Sequence, residues 1–163
     1  MKSFVSNSYW KHDVEDNAYA LMRDDKGCIA ILHSSATQWQ HRFSLDIALT
    51  EGYLQLRGIL SGSKSYGEEK LIKGYRDEAD TGTAREEVFV YVEDPSWRDE
   101  IWEFADAVLN GSEITYGSSA DALATMSLVY RIYCADPEWR ESFEIENPDS
   151  VSYTHLRAHE TLR

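Results

Sequence analysis

The run Arg42-Phe43-Ser44-Leu45-Asp46-Ile47-Ala48-Leu49 puts Phe43, Leu45, Ile47 and Leu49 on one parity and Arg42, Ser44, Asp46 and Ala48 on the other. Successive side chains of a strand point to opposite faces, so this pattern predicts a half-buried strand. Its neighbours follow the same logic. After Glu51-Gly52, the residues Tyr53, Leu54 and Leu56 supply the next strand, and Glu69 to Tyr75 and Glu87 to Val92 supply two more. Between those two, Arg76 to Arg85 is polar, with Gly82 and two threonines, and is expected to be a loop. Upstream, Asn17 to Arg23 and Cys28 to His33 flank Asp24-Asp25-Lys26-Gly27. A short turn with Gly where a positive φ is cheap predicts a β-hairpin. Phe4, Val5 and Tyr9-Trp10 are expected in a first strand, ended by Lys11-His12-Asp13.

The character changes at Asp94-Pro95-Ser96-Trp97. Ser96 is expected to cap a helix whose first turn holds Asp99 and Glu100, matching the positive end of the helix dipole. Trp97, Ile101, Phe104, Ala105 and Val108 recur at helical spacing until Asn110-Gly111 stops the run. Ser118 and Asp121 have the spacing of a capping box at the start of a second helix, with Leu123, Met126, Tyr130 and Tyr133 as its apolar stripe and Asp136-Pro137 as its end. The predicted class is α+β: a large, mostly antiparallel, open β-sheet with two C-terminal helices packed on one face. The other face then needs a cover, because apolar strand faces rarely stay bare.

The composition narrows the function. Apolar residues make up 42% of the 163, which suits a globular core. With 29 acidic against 16 basic side chains the net charge is −13, which repels phosphate backbones and anionic lipids, so neither nucleic acid nor membrane is expected as a partner. No apolar run approaches the roughly 18 residues that a spanning helix needs. Residues 1–7 lack the apolar core of a signal peptide, and Cys28 and Cys134 lack CxxC neighbours. The expected setting is the cytoplasm, with both thiols buried and reduced.

Few motifs carry chemistry. His155 and His159 stand four apart, but Leu156 occupies the place where a zincin needs Glu, so no metal site is expected. Gly62-Ser-Lys-Ser-Tyr-Gly67 resembles a phosphate loop only superficially, since Glu68-Glu69 stand where Lys-Ser/Thr is required. No GxGxxG occurs. Glu15-Asp16 is a carboxylate pair, but adjacent strand residues face apart, which predicts a turn or edge role for at least one of them. His33, Ser34, Ser35, Thr37, Gln38, Trp39 and His41 form a polar and aromatic cluster between two strands. Hydroxyls, an amide and an indole face on one segment suit a carbohydrate, and a hydrogen-bonded strand connection would use the same residues.

An ordered set of segments carries a resemblance. It comprises Val14-Glu-Asp-Asn-Ala-Tyr-Ala-Leu-Met22, Ile29-Ala-Ile-Leu-His-Ser-Ser35 through Gln38-Trp39, Glu51-Gly-Tyr-Leu54, Tyr66-Gly67 with Glu69-Lys-Leu71, Trp102-Glu-Phe-Ala-Asp-Ala-Val-Leu-Asn-Gly111, and Gly117-Ser-Ser-Ala-Asp-Ala-Leu123 with Leu128-Val-Tyr130. Together these resemble the C-terminal domain of the Gfo/Idh/MocA family of glucose–fructose oxidoreductases and inositol dehydrogenases, over roughly residues 3 to 140.

The resemblance implies a two-domain parent. A Rossmann domain binds NAD or NADP, and an open sheet shapes the pocket for a sugar or cyclitol and mediates homo-oligomerisation. The family's Glu-Lys-Pro segment is absent, since no Lys-Pro occurs, and none of the five histidines has Asp four positions earlier, so its catalytic pair is absent too. Residues 1–145 are therefore expected to be the sheet domain without its N-terminal Rossmann partner, binding no cofactor alone and carrying no catalytic residue. His33, Gln38, Trp39 and Arg42 are the substrate-binding candidates. Residues 146–163 are expected to be an irregular tail, of which 151–163 resembles translated sequencing-adapter read-through. The competing reading is a stand-alone α+β binding or scaffolding module.

Overall fold

Asp24 shows how the first hairpin forms. Its Oδ1 accepts the backbone N–H of Lys26 at 2.9 Å and of Cys28 at 2.7 Å, and Gly27 follows at φ 87°. An Asx-type turn with a left-handed glycine reverses the chain at low cost, so β2 (Asn17–Arg23) and β3 (Ile29–Ser35) pair antiparallel. β1 (Lys2–Ser6) joins the other side of β2, giving the order β1-β2-β3.

The structure is a computed structural model that describes residues 1–61, 63, 65–77, 82 and 85–147. The histidine pair at 155 and 159 and the tail 151–163 lie outside the described residues, as do parts of the 62–67 and 76–85 segments. The chain divides into two units, Met1–Thr37 with Thr115–Arg163, and Gln38–Ile114. Both carry antiparallel sheet and helix, so the class is α+β as the sequence predicts. The strands divide into one sheet of three and one of four.

In the first unit, α2 (Ser119–Cys134) begins with the expected capping box: the Ser118 side chain accepts from the Asp121 N–H, and the Asp121 carboxylate accepts from the Ser118 N–H. α2 packs on β1 and on a short helix, α3 (Pro137–Ser142). Pro137 ends one helix and opens the next, because a proline at the first helical position loses no hydrogen bond. Ala18, Ala20, Ile132 and Trp139 are buried, and the Trp139 and Phe143 rings lie 4.1 Å apart. Small residues on the covered face of β2 let the helix approach. Phe4, Tyr19, Leu21, Ile29 and Ile31 occupy the opposite face by register and stay exposed, Ile31 at 81%.

Two details of this unit differ from expectation. Tyr9 and Trp10 form a turn after β1 has ended at Ser6, because both backbone N–H groups are drawn to the Asp16 carboxylate. Cys28 is exposed and Cys134 half-buried, both as free thiols.

In the second unit, β4 (Ser44–Leu49), β5 (Gly52–Arg57), β6 (Glu69–Tyr75) and β7 (Arg85–Tyr91) follow in order. The register aligns Leu45, Leu56, Leu71 and Phe89 in one row, with Ile47 and Leu54 in the next row of the same face. The other face is mixed. There Arg57 grips Asp46 through both terminal nitrogens at 2.5 and 3.0 Å. That guanidinium outweighs partial desolvation and, with Gln55 and Arg42, holds the Asp46 carboxyl below its usual range.

α1 (Ser96–Asn110) also belongs to this unit and buries none of its residues. Ser96 does not cap it. Pro95 stands at the cap position without a side-chain cap bond, and both the N–H and the hydroxyl of Ser96 donate to Asp94 Oδ1 at 3.1 and 2.6 Å. Gly111 closes the helix in the left-handed region with its N–H on the Ala107 carbonyl. Among the described residues, no helix is long and apolar enough to cross a membrane.

Candidate functional site

The predicted site residues fall on both sides of the Thr37–Gln38 boundary. His33 lies on β3 in the first unit, stacked on its cross-strand partner Tyr19 with ring centroids 4.2 Å apart and 13° between planes. It extends the row Phe4–Tyr19–His33 across three strands of the exposed face. Gln38, Trp39 and Arg42 belong to the second unit, on the exposed segment that leads into β4, with Trp39 79% exposed.

Register decides what that segment meets. Ser44, Arg57, Lys70 and Val90 align at one end of the four-stranded sheet. Residues 38–43 enter β4 at that end, and the connection from β5 to β6 leaves and returns there. The Gly58 N–H clamps the two by donating to the Phe43 carbonyl at 3.1 Å. Across this clamp His41 Nδ1 and Ser65 Oγ are 2.6 Å apart, and the His41 ring lies 4.9 Å from that of Tyr66. The hydroxyl chain continues from Ser65 to Ser63 at 2.8 Å and from Ser63 to Ser61 at 3.2 Å. At the root of the connection the Glu69 carboxylate accepts the Leu60 N–H at 2.8 Å. The sequence places His41 in the polar cluster but not its partners, which become visible only when β4 and β5 are paired side by side.

A second polar centre lies at the end of the three-stranded sheet. Asp16 is 3% exposed, and its carboxylate accepts from the Tyr9 and Trp10 N–H groups at 2.8 and 3.2 Å, from Asn17 Nδ2 at 3.0 Å and from Ser6 Oγ at 3.3 Å. Burial alone would raise this carboxyl, but the four donors outweigh burial and hold it below the ordinary aspartate value. Thr37 Oγ1 donates to Asn17 Oδ1, and Trp10 Nε1 donates to the Ala36 carbonyl at 3.0 Å. Asp16 thus has the edge role that its position predicts. With every oxygen engaged, it organises the 7–16 turn and is not poised for proton transfer. Its neighbour Glu15 bonds Tyr133 instead. Burial first, and this bond second, push the Tyr133 hydroxyl up to about 12.

The remaining features offer little chemistry. An open cleft of about 390 Å³ is lined by Cys134, Pro137, Arg140, Glu141, Glu144 and Ile145, none of them among the predicted site residues. Among the described residues, no group of three or more His, Cys, Asp or Glu could hold a metal ion. The Rossmann type of dinucleotide site uses a parallel strand–helix–strand unit whose helix start receives the pyrophosphate. All five strand pairings among the described residues are antiparallel, so that unit is not among them. No family model, no curated protein and no solved structure matches the chain.

Proposed function

We propose that the chain is the substrate-side and oligomerisation domain of an NAD(P)-dependent oxidoreductase of the Gfo/Idh/MocA kind, acting on a sugar or cyclitol. In this reading it transfers no hydride alone. The observation that carries it is the exposed face of the three-stranded sheet: α2 packs against β1 on one side, while Phe4, Tyr19, Leu21, Ile29 and Ile31 lie exposed on the other. An apolar face of that kind is expected where a further body covers the sheet. The proposed cover is a second copy of the domain, and the proposed second partner is a nucleotide-binding domain. The antiparallel sheets and the ordered sequence resemblance support the same reading. A cytoplasmic setting belongs to the proposal and agrees with the two free thiols.

The test is the source DNA upstream of Met1. A Gly-rich strand–turn–helix and a Glu-Lys-Pro segment in the same frame are expected; a stop codon just before Met1 would overturn the reading. Titration of the purified chain with NAD and NADP gives an independent check, with no saturation expected and micromolar affinity counting against the proposal. The competing reading, a stand-alone binding or scaffolding module, draws on the first unit having helices of its own on one sheet face. It would show as a monodisperse monomer that unfolds cooperatively.

A further inference from the structure

We propose that His41, Ser63, Ser65 and Tyr66 form a recognition surface for a neutral polyol. The inference rests on the oxidoreductase reading for its ligand class, a sugar or cyclitol, and assigns that class to particular residues. Vicinal hydroxyls each need both a donor and an acceptor. Serine hydroxyls and a neutral imidazole are among the side chains that present both at once, whereas lysine, arginine and ionised carboxylates present only one. The chain Ser61–Ser63–Ser65–His41 is held hydroxyl to hydroxyl and ends on Nδ1. This leaves Nε2 of His41 and the remaining hydroxyl lone pairs without partners among the described residues. Each bond in such a chain polarises the next, which strengthens the terminal donors and acceptors.

The Tyr66 ring, tilted 36° against His41, adds an apolar surface of the kind on which a sugar's C–H face rests. The backbone supports the placement, because the Gly58–Phe43 bond fixes the two segments that carry the cluster. Charge at this end is mixed: Glu68 and Glu69 root the connection, the Lys70 ammonium lies 2.7 Å from Glu68, and Lys64 and Arg42 adjoin Ser65 and His41 in sequence. Neither sign dominates, so hydroxyl and imidazole hydrogen bonding carries the preference for a neutral polyol, and an anion serves as the control.

The experiment is a nuclear magnetic resonance titration of the full ¹⁵N-labelled chain with myo-inositol and with D-glucose, and with inorganic phosphate as the anionic control. Saturable shifts of the His41 ring and Ser65 amide are expected with at least one polyol, with a Kd on the order of millimolar. Ser65→Ala and His41→Ala should each weaken binding by about tenfold, with the remaining spectrum unchanged. Polyol-induced shifts elsewhere that survive Ser65→Ala would overturn this site and leave the substrate class standing. Phosphate shifting these resonances where the polyols do not would overturn it as well, as would no saturation by either polyol at about 0.1 M. A stop codon upstream of Met1 would remove the oxidoreductase reading, yet His41-dependent polyol binding would still establish the surface.

Discussion

The Asp136 carboxylate receives the backbone N–H of Val5 at 2.8 Å, joining residues 131 positions apart in the chain. Its other oxygen caps α3 by accepting from the Glu138 and Trp139 N–H groups at 3.1 and 3.2 Å. One buried side chain therefore serves a strand and a helix at once. Asp136→Ala leaves all three donors without this acceptor and is expected to destabilise the protein by about 2 kcal/mol, the sum of a lost cap and a charge-assisted bond. Asp136→Asn keeps a cap and should cost less. Urea unfolding followed by Trp fluorescence ranks the two variants, and equal midpoints for wild type and Asp136→Ala would remove the role assigned here.

Asp16 sets an acid limit on the same unit. Its folded carboxyl titrates below the ordinary aspartate value of 3.8, because the Tyr9, Asn17, Trp10 and Ser6 donors outweigh its burial. A depressed folded value contributes stability that is present above the unfolded value and lost as pH falls through the folded one. Unfolding midpoints of the wild type should therefore decline as pH drops below 3.8, and Asp16→Asn should flatten that decline. An unchanged slope in the variant would show that other carboxylates carry the acid response.

Tyr133 marks the alkaline side. Its hydroxyl is pushed up to about 12, first by burial and then by the Glu15 carboxylate. A raised folded value contributes stability that is full below the unfolded value of 10.0 and is lost as pH climbs towards about 12. Absorbance at the tyrosinate band should show a late-titrating group that disappears in Tyr133→Phe and moves earlier in Glu15→Gln.

Gly74 is required for want of space. It is the cross-strand partner of Tyr53, and a Cβ placed there would lie 2.1 Å from Tyr53 Cζ. The ring lies across β6 and its hydroxyl donates to Glu86 on β7, so one tyrosine ties three strands together. That bond, followed by desolvation and the nearby charge, raises the Tyr53 hydroxyl above its ordinary value. Gly74→Ala displaces the ring and is expected to destabilise the second unit by about 1–3 kcal/mol. Tyr53→Ala combined with Gly74→Ala should recover part of that loss, and a double-mutant cycle measures the coupling.

What the sequence made legible was local. The Asp24–Gly27 turn, the Ser118–Asp121 box and the Gly111 stop each involve residues within four positions of one another, so spacing alone describes them. Contacts between distant segments were not legible. Nothing near Asp136 names Val5, and nothing near His41 names Ser65, because the first pair depends on where the start of α3 meets β1 and the second on how β4 and β5 align. Asp136-Pro137 read as an end, although a capping acid before proline also starts a helix, and Trp139 beyond it was the available sign. The strands themselves were visible through their period of two. Their division into two sheets was hidden, because the polar 36–43 segment suits a ligand loop and a sheet break equally well.

The Val5–Asp136 bond also gives the first sheet a direction. An edge strand is a template for another chain wherever its outward N–H groups are free. Here β1 has one outward N–H taken by its own helix cap, while β3 is the other edge of the three-stranded order. Strand addition to this sheet is thus favoured at β3, where two copies would pair edge to edge and leave β1 outermost on both sides.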